Sequence, residues 1–569
     1  MKSVVECVPN FSEGKDKSVI DSIINEIRSV EGVSILSVDS GYDTNRTVVT
    51  MVGDLDSIAK ASFFCIKRAS ELINMKNHKG THPRLGAVDV CPFIPISGVN
   101  MEDCIILSKT VGKKVGEELK IPVYLYENSS TTPYRKKLSD IRSGEYEGLS
   151  KKILEKEWKP DYGPSEFNEH SGATVIGSRD FLIAYNINLN TKDKRLATDI
   201  AFDLREIGRS KRIPNLRSNN LLDGEIVRNN DGSPVKVKGM FKDVKAIGWY
   251  VEKYGCSQVS INIDNYHKSS IHDIFDATCK LAENRGLRVT GSELIGLIPL
   301  DSILNAGMHY LKKQNSSIGI PKVDIIDCAI KSLGLNDVNS FDPKSRIIEY
   351  AIKDNKTPLI DNSSEDFLEE LSRNSPAPGG GSVAAMAGAM AASLSSMVAS
   401  LNYSKKDHFD QRELFEEIGS KAQSLKDNLK YLVDEDTHSF NKIIVSNRLP
   451  EKNKHEKEQK IAKKQDAIKY AIEIPFRTAE NCFSILEIIQ SILPKVNPNS
   501  ISDLGVSSEI AMSAVRSGCM NVWINLNDLS NEKYRREFII KTEKLIEDSE
   551  KIHDFNINFV NNIIYDHRA

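Results

Sequence analysis

The chain has 569 residues, which excludes one compact core, because single cores stop growing at about 250–300 residues and longer chains split into domains. Hydrophobic residues make up 40% and charged residues 27%, enough to build packed cores and too apolar for a disordered chain. Lys+Arg 76 against Asp+Glu 79 leaves a formal charge of -3, which argues against nucleic acid as the main partner and leaves room for a local basic patch around a small anion.

The first 180 residues alternate strand-like and helix-like segments. Val33–Val38 and Arg46–Val52 are β-branched runs. Asp54–Met75 carries Ile58, Ala61, Phe64, Cys65, Ala69 and Leu72 at helical spacing, with Asp54 placed to cap the N-terminus. Val88–Ile96 and Pro122–Tyr126 are further strands. A second unit of the same style begins near Arg179. Phe181–Leu189, Ala246–Val251 and Gln258–Ile263 are its predicted strands; Lys192–Ile207 and Ser270–Asn284 are its helices. Between them, Gly208–Lys245 is polar and rich in turn residues, with EIVR and PVKVK flanking NNDGS as a hairpin signal.

The character changes after about residue 335. Ser340–Pro343 and Lys356–Asn362 are linker-like. Ser363-Ser-Glu-Asp366 matches a capping box. Helices are then predicted over 364–373, 382–402, 408–433, 435–447, 451–472, 474–493, 503–526 and 531–563. Val383–Leu401 is apolar and long enough to consider as a membrane span. It is built from Ala, Gly, Ser and Met, so a tightly packed buried helix is the better expectation. The Lys- and Glu-rich run Glu451–Lys469 reads as a solvated helix face. The fold class expected is multidomain: two α/β subdomains with mixed sheets (1–178 and 179–335), a linker (336–362) and an all-α helical-bundle domain (363–569). Nine scattered cysteines with no C-x-x-C pair, and an N-terminus without a signal-peptide core, point to a reducing, cytoplasmic setting.

Several segments carry chemistry. His78 and His82 are four apart in NHKGTHPRLG. Gly80 and Pro83 argue against the continuous helix that metal ligation at this spacing would need. The functional reading is a loop presenting His82, a group that titrates near neutral pH, beside Arg84; the plain reading is a structurally bonded histidine. Asp39 ends a strand, either as a turn residue or as a carboxylate that orients a partner. Residues 163–177, GPSEFNEHSGATVIG, form a polar loop running into a strand and match neither phosphate-binding nor dinucleotide fingerprints. Gly379, Gly380, Gly381 and Ser382 lead into the Ala-rich helix, where free N–H groups suit an anion, or where a flexible turn simply enters a helix. In LVDEDTHSF, Asp436 lies four residues after Leu432 and four before Phe440, so on one helix it faces the apolar side, paired or functional; an N-cap at Asp434 or Asp436 is the alternative.

Taken together, these motifs resemble the bifunctional formiminotransferase-cyclodeaminase family. VECVPNFSEG (5–14), VDSGYDTNRTVVT (38–50), HKGTHPRLGAVDVCPFIP (78–95), YGPSEF with SGATVIG (162–177) and FLIAYNINL (181–189) resemble the transferase part. RIIEY (346–350), SPAPGGGSVAA (375–385), LVDEDTHSFN (432–441) and NPNSISDLGV (497–506) resemble the cyclodeaminase part. The resemblance implies transfer of the formimino group of N-formimino-L-glutamate to N5 of tetrahydrofolate with release of glutamate. Cyclisation to 5,10-methenyltetrahydrofolate with release of ammonia then follows, a late stage of histidine breakdown. It implies His82 and Asp436 as catalytic residues, with Asp39 near His82. It implies a folate-binding loop of Gly163, Pro164, Ser165, Glu166, Phe167, Asn168, Glu169, His170, Ser171 and Gly172. Arg84, the basic residues near Arg205–Arg212, and Gly379–Ser382 are weaker candidates for substrate contact. The co-substrate would be polyglutamylated tetrahydrofolate, with no metal, no nucleic acid and no membrane, and the chain would form a homo-oligomer, a dimer or a larger ring. The competing readings are a chain that keeps one of the two activities, a non-catalytic folate-binding scaffold, and a membrane-associated binding protein resting on Val383–Leu401.

Overall fold

The structure is a computed structural model, and it describes residues 3–42, 44–80, 82–218, 220–352 and 358–566. The chain divides into two compact units, Met1–Ala306 with Ile330–Lys353, and Gly307–Ala329 with Asp354–Ala569. Residues 307–329, expected in the second α/β subdomain, pack within the second unit. There the Gly319 carbonyl accepts from the hydroxyls of Ser396 (3.1 Å) and Ser400 (3.0 Å).

The first unit holds two sheets. The first is built from β1 (Val4–Cys7), β2 (Asn10–Phe11), β3 (Ser34–Gly41), β4 (Arg46–Gly53), β5 (Val88–Ser97), β6 (Val123–Glu127) and β7 (Thr174–Ser178). β1 and β2 lie in line between β4 and β5, β3 forms one edge, and β5–β7–β6 run parallel while the other pairs are antiparallel. The sheet is therefore mixed, as expected. Helices α1 (Lys17–Arg28), α2 (Leu55–Leu72) and α3 (Met101–Glu118) accompany it. Asp54 caps α2 by accepting from the Ser57 N–H at 2.8 Å. The sequence reading missed α1 and α3, although both carry start signals: Asp16 caps the first, and Asn100 with Asp103 forms a reciprocal capping box on the second.

The second sheet consists of β8 (Ile183–Leu189), β9 (Val244–Val251), β10 (Cys256–Ile263) and β11 (Val289–Ile295), in the order β9–β10–β8–β11. With α4 (Lys194–Leu204) after β8 and α5 (Ile271–Glu283) after β10, this is the β-α-β-β-α-β arrangement of ferredoxin-like folds. Its pairs are all antiparallel, so the expectation of a mixed sheet holds for the first sheet and not here. The two helical crossovers connect strands that are not adjacent, and each strand meets only oppositely directed neighbours.

The excursion 208–245 closes at its tip as predicted, with the Asn229 N–H donating to the Ser233 carbonyl at 2.8 Å. Below the tip the two arms do not form a simple hairpin. Residues 209–213 run between them and pair with both, Arg209–Ser210 to Lys236–Val237 and Arg212–Ile213 to Glu225–Ile226.

The second unit is helical: α6 (Ser364–Ser372), α7 (Gly380–Tyr403), α8 (Arg412–Asn447), α9 (Lys454–Ile492), α10 (Ile501–Leu526) and α11 (Glu532–Asp566). α7 is long and apolar enough to cross a membrane, yet 61% of its apolar window is buried, and it packs on α8, α9 and α10. Its small residues set that closeness. A Cβ on Gly388 would fall 2.5 Å from the Cys482 sulfur, and the Ser395 and Ser507 hydroxyls meet at 3.0 Å. Two predicted breaks are absent. α8 runs straight through Asp434, whose carboxylate caps a different segment by accepting from the N–H groups of Leu359 (2.6 Å) and Ile360 (3.4 Å).

α9 runs through Pro475. A proline has no N–H, so the carbonyl four residues earlier, Ala471, loses its helical partner. Asn525 of α10 supplies one, its Nδ2 donating to the Ala471 carbonyl at 2.7 Å. The amide of one helix thus makes the proline of its neighbour tolerable. Asn525→Ala is expected to destabilise the chain by about 1–3 kcal/mol, the cost of an orphaned polar group. Chemical denaturation of the single and double variants checks this. In a Pro475→Ala background, which restores the missing N–H, the cost of Asn525→Ala should largely disappear; an equal cost in both backgrounds contradicts the account.

Candidate active sites

His82 stands on the loop before β5, half-buried. Its Nδ1 lies 2.7 Å from the Pro83 carbonyl oxygen. A carbonyl only accepts, so Nδ1 carries the hydrogen and Nε2 keeps its lone pair. Burial pushes the His82 pKa below its ordinary value, and the charge of Arg46 and then of Arg142 pushes the same way against the Pro83 carbonyl and Asp89. The neutral ring is therefore favoured, and among the described residues no group bonds Nε2.

His78 differs. Its Nε2 donates to the Asn45 carbonyl at 2.9 Å, and its Nδ1 accepts from Arg84 Nε at 3.1 Å. It has no free ring nitrogen to offer, so the two histidines do not make a ligand pair. Arg84 is buried. Its guanidinium is held by Glu145 (2.9 Å) and Glu147 (2.6 Å), on the wall of a cleft of about 640 Å³ that Lys76, His78, Lys79, Tyr146 and Glu147 also line. In this arrangement its charge is already answered by protein carboxylates. Asp39 is exposed on the edge strand β3, accepting from the Ser37 hydroxyl at 2.9 Å. Among the described residues no bond joins it to His82.

Sequence reasoning missed a cluster next to His82. Asp89, the second residue of β5, is wholly buried. It takes Arg46 Nη1 on Oδ2 at 2.5 Å, Arg142 Nη2 on Oδ2 at 2.5 Å, Arg142 Nε on Oδ1 at 3.2 Å and the Leu85 N–H on Oδ1 at 3.0 Å. Arg46 Nε also donates to the Asn10 side-chain carbonyl at 3.2 Å. The signal was present: Asp89 is a lone carboxylate inside the apolar run VDVCPFIP, and a buried carboxylate needs partners.

The loop 163–172 is shaped by its own backbone. Gly163 (φ +83) and Gly172 (φ +67) adopt left-handed conformations, and a Cβ on them would fall 2.4 Å from the Ile121 carbonyl and 2.3 Å from the Leu85 carbonyl. These glycines serve close approach of chain to chain. Asn168 Oδ1 accepts from the N–H groups of His170 (3.1 Å) and Ser171 (3.0 Å). Phe167 packs against Tyr146 with ring centroids 5.3 Å apart. Glu166, Glu169 and His170 are exposed along the loop, and Ser171 and Gly172 are buried.

In the helical unit the three adjacent acids separate. Asp434 caps residues 359–361, as above. Glu435 is buried and accepts from the Tyr470 hydroxyl, with His438 Nδ1 at 3.6 Å and Lys442 Nζ at 3.9 Å. Burial pushes its pKa up, but the hydroxyls of Tyr470 and Tyr431, with His438 and Lys442 beside it, outweigh that, and the net shift is downward. Asp436 lies on a continuous helix, half-buried, where its spacing put it on the apolar side, and it faces the first turn of α7. Ser382 Oγ lies 3.2 Å from its Oδ2, and a Cβ on Gly381 would fall 2.1 Å from its Oδ1. Only glycine at 381 lets this carboxylate reach the helix N-terminus. Gly379 caps that helix in an extended conformation, and the Asn521 amide lies beside Gly380. Burial raises the pKa of Asp436, with the Ser382 hydroxyl and N–H pulling it back.

Ser382 has one hydroxyl proton and two carboxyl or carbonyl acceptors, Asp436 and the Val433 carbonyl at 2.8 Å, with the Thr437 hydroxyl at 3.5 Å beside them. When Asp436 is ionised the hydroxyl serves it. When Asp436 is protonated, Asp436 donates to Ser382 Oγ, and the serine turns its hydrogen to Val433. Both protonation states are satisfied.

The fold and these sites define a protein of two units, each holding a titratable side chain whose pKa burial shifts from its ordinary value, His82 in one and Asp436 in the other. Three family profiles match in chain order: "Formiminotransferase domain, N-terminal subdomain" over residues 4–179, "Formiminotransferase domain" over 184–353, and "Formiminotransferase-cyclodeaminase" over 363–544. Formimidoyltransferase-cyclodeaminase of Mus musculus is 37% identical over 556 residues, 96% of this chain and 97% of that protein. The protein of the same name from Dictyostelium discoideum is 39% identical over 538 residues, 94% of each. Glutamate formimidoyltransferase of Streptococcus pyogenes serotype M1 is 38% identical over 315 residues, 55% of this chain and 95% of that protein. The chain belongs to the formimidoyltransferase-cyclodeaminase family.

Because the Ser382 hydroxyl favours the charged form of Asp436, Ser382→Ala is expected to raise the Asp436 pKa further. Titration of 13C-labelled aspartates, with Asp436→Asn used to assign the signal, checks the direction; a downward shift contradicts the geometry.

Proposed function

We propose that the chain catalyses both reactions in sequence: formimino transfer from N-formimino-L-glutamate to N5 of tetrahydrofolate, then cyclisation to 5,10-methenyltetrahydrofolate with loss of ammonia. The observation that carries this is that each unit holds a proton-transfer group in a state suited to its step, in a chain matched over nearly its whole length by bifunctional relatives.

In the first step N5 attacks the amidinium carbon of the donor. The C–N5 bond forms, the C–N bond to glutamate breaks, and the proton of N5 ends on the departing glutamate nitrogen. His82, neutral with Nε2 free, takes that proton and returns it. In the second step N10 attacks the same carbon. The C–N10 bond forms and the C–NH2 bond breaks. The proton of N10 leaves with ammonia, and the single positive charge of the amidinium remains as the methenyl cation. Asp436, half-buried with its pKa raised by burial, is suited to accept and return that proton. The serine that serves both of its protonation states lowers the reorganisation each transfer requires.

Tetrahydrofolate enters as a polyglutamylated co-substrate, and the reaction requires no metal. The chain acts in the cytoplasm; nine free cysteines, with the Cys7 and Cys91 sulfurs 3.5 Å apart and unjoined, support a reducing setting. It self-associates. Val383, Ala387, Met390, Leu394, Met397 and Leu401 alternate spacings of four and three along α7, and all are exposed or half-exposed, the seam pattern that pairs with a second helix.

His82→Ala is expected to lower glutamate release by at least about a hundredfold, the low end of general acid–base contributions, while added 5-formiminotetrahydrofolate is still converted. Asp436→Asn should do the reverse: glutamate is released and the methenyl absorbance does not develop. Assays of each half-reaction on both variants check the assignment, and transfer that survives in His82→Ala contradicts it.

A further inference from the structure

The Asp89 cluster is unbalanced. Two guanidiniums converge on one carboxylate, leaving a net positive charge where Arg46 is 9% exposed, Arg142 is 16% exposed and Asp89 is wholly buried. Among the described residues no second carboxylate bonds either arginine, although each retains a donor group the cluster does not use. Arg46 spends Nη1 on Asp89 and Nε on Asn10, leaving Nη2; Arg142 spends Nε and Nη2 on Asp89, leaving Nη1. These unused ends are not sealed from solvent without a partner, since neither is among the buried unpaired atoms. A partly buried excess cation with free, fixed N–H groups is what an incoming carboxylate requires.

The cluster also belongs to the His82 loop by construction. Asp89 holds the Leu85 N–H, three residues beyond His82, and both arginines act on the His82 ring. Asp89 thus fixes the loop and the two arginines as one piece. Arg84, a weaker candidate for substrate contact from the sequence, is by contrast already saturated by Glu145 and Glu147.

We propose that Arg46 and Arg142 form the carboxylate subsite of the transferase donor, binding the α-carboxylate of N-formimino-L-glutamate through the guanidinium ends that Asp89 leaves free. The α-carboxylate is attached to the carbon that bears the reacting nitrogen, so seating it beside His82 brings the departing nitrogen to the histidine. The bound anion completes the charge balance of the cluster. Asp89 is a positioning residue, since it acts through the arginines. The proposal rests on His82 being the transferase base.

Arg142→Gln is the test variant because it leaves Asp89 and Arg46 as a balanced one-to-one pair, with the Asn10 bond intact. Three donors are compared in full-length protein: formiminoglutamate, its α-amide and its γ-amide. The expected result is a KM rise of about tenfold or more, the range of one hydrogen bond to a charged group, for formiminoglutamate and for the γ-amide. The α-amide donor should be nearly insensitive, because it has already lost the interaction. The acid limb of kcat/KM should also move to higher pH, since one cation no longer depresses His82. Arg142→Lys should recover part of the loss, and the KM for tetrahydrofolate should stay unchanged. Equal loss for all three donors, or insensitivity of the γ-amide donor instead, overturns the proposal. If His82→Ala retains transfer, the reading beneath it fails; if His82 is required and the donors do not separate, this subsite alone fails.

Discussion

A carboxylate removed from water must be answered by donors, and both candidate sites are organised by how that demand is met. Asp89 sits in a strand with no solvent, so Arg46, Arg142 and the Leu85 N–H are drawn onto it. Removing Asp89 would leave two largely buried guanidiniums unanswered, a loss of about 3–5 kcal/mol on the scale of a broken buried ion pair, and this holds the geometry around it in place. The strand β5, the start of β4, the short helix that ends at Arg142 and the loop bearing His82 are all fixed by that one side chain. Asp436 is answered more sparingly, by one hydroxyl and one N–H at a helix N-terminus. It is therefore left able to change protonation state.

The contrast separates structure from chemistry within each unit. Arg84 and His78 look reactive in the sequence, yet every strong group on them is satisfied by the chain, and they hold the loop that presents His82. Asp434 and Glu435 flank Asp436 and are likewise committed, one to the N–H groups of residues 359 and 360, the other to Tyr470. In the two motifs, among the described residues, His82 Nε2 and the half-buried Asp436 carboxylate are the groups left less committed. Under the proposed function, these two groups in two units would serve two consecutive reactions at the same carbon, each moving one proton from an attacking nitrogen to a departing one.

Much of this was legible in the sequence. The two-part architecture followed from the change in periodicity near residue 335, and the capping signals at Asp54 and Ser363 started helices where expected. The orientation of Asp436 followed from its spacing to Leu432 and Phe440. What was not legible depends on long-range partners. α9 continues through Pro475 because an asparagine fifty residues later bonds the freed carbonyl. α8 continues through Asp434 because that carboxylate finds donors in another segment. Arg46 and Arg142 are 96 residues apart in number and meet only because Asp89 gathers them. The ferredoxin-like sheet is antiparallel because of strand order, which local pattern does not encode. The family resemblance named His82 and the 163–172 loop; it did not say that the loop's terminal glycines serve the chain's own close contacts.

The most direct measurement supplies formiminoglutamate and tetrahydrofolate to the unmodified full-length protein and follows glutamate, ammonia and methenyltetrahydrofolate together. The account predicts that all three accumulate in equal amounts, glutamate first. Glutamate release with no ammonia and no methenyl product, or no glutamate release at all, would contradict it.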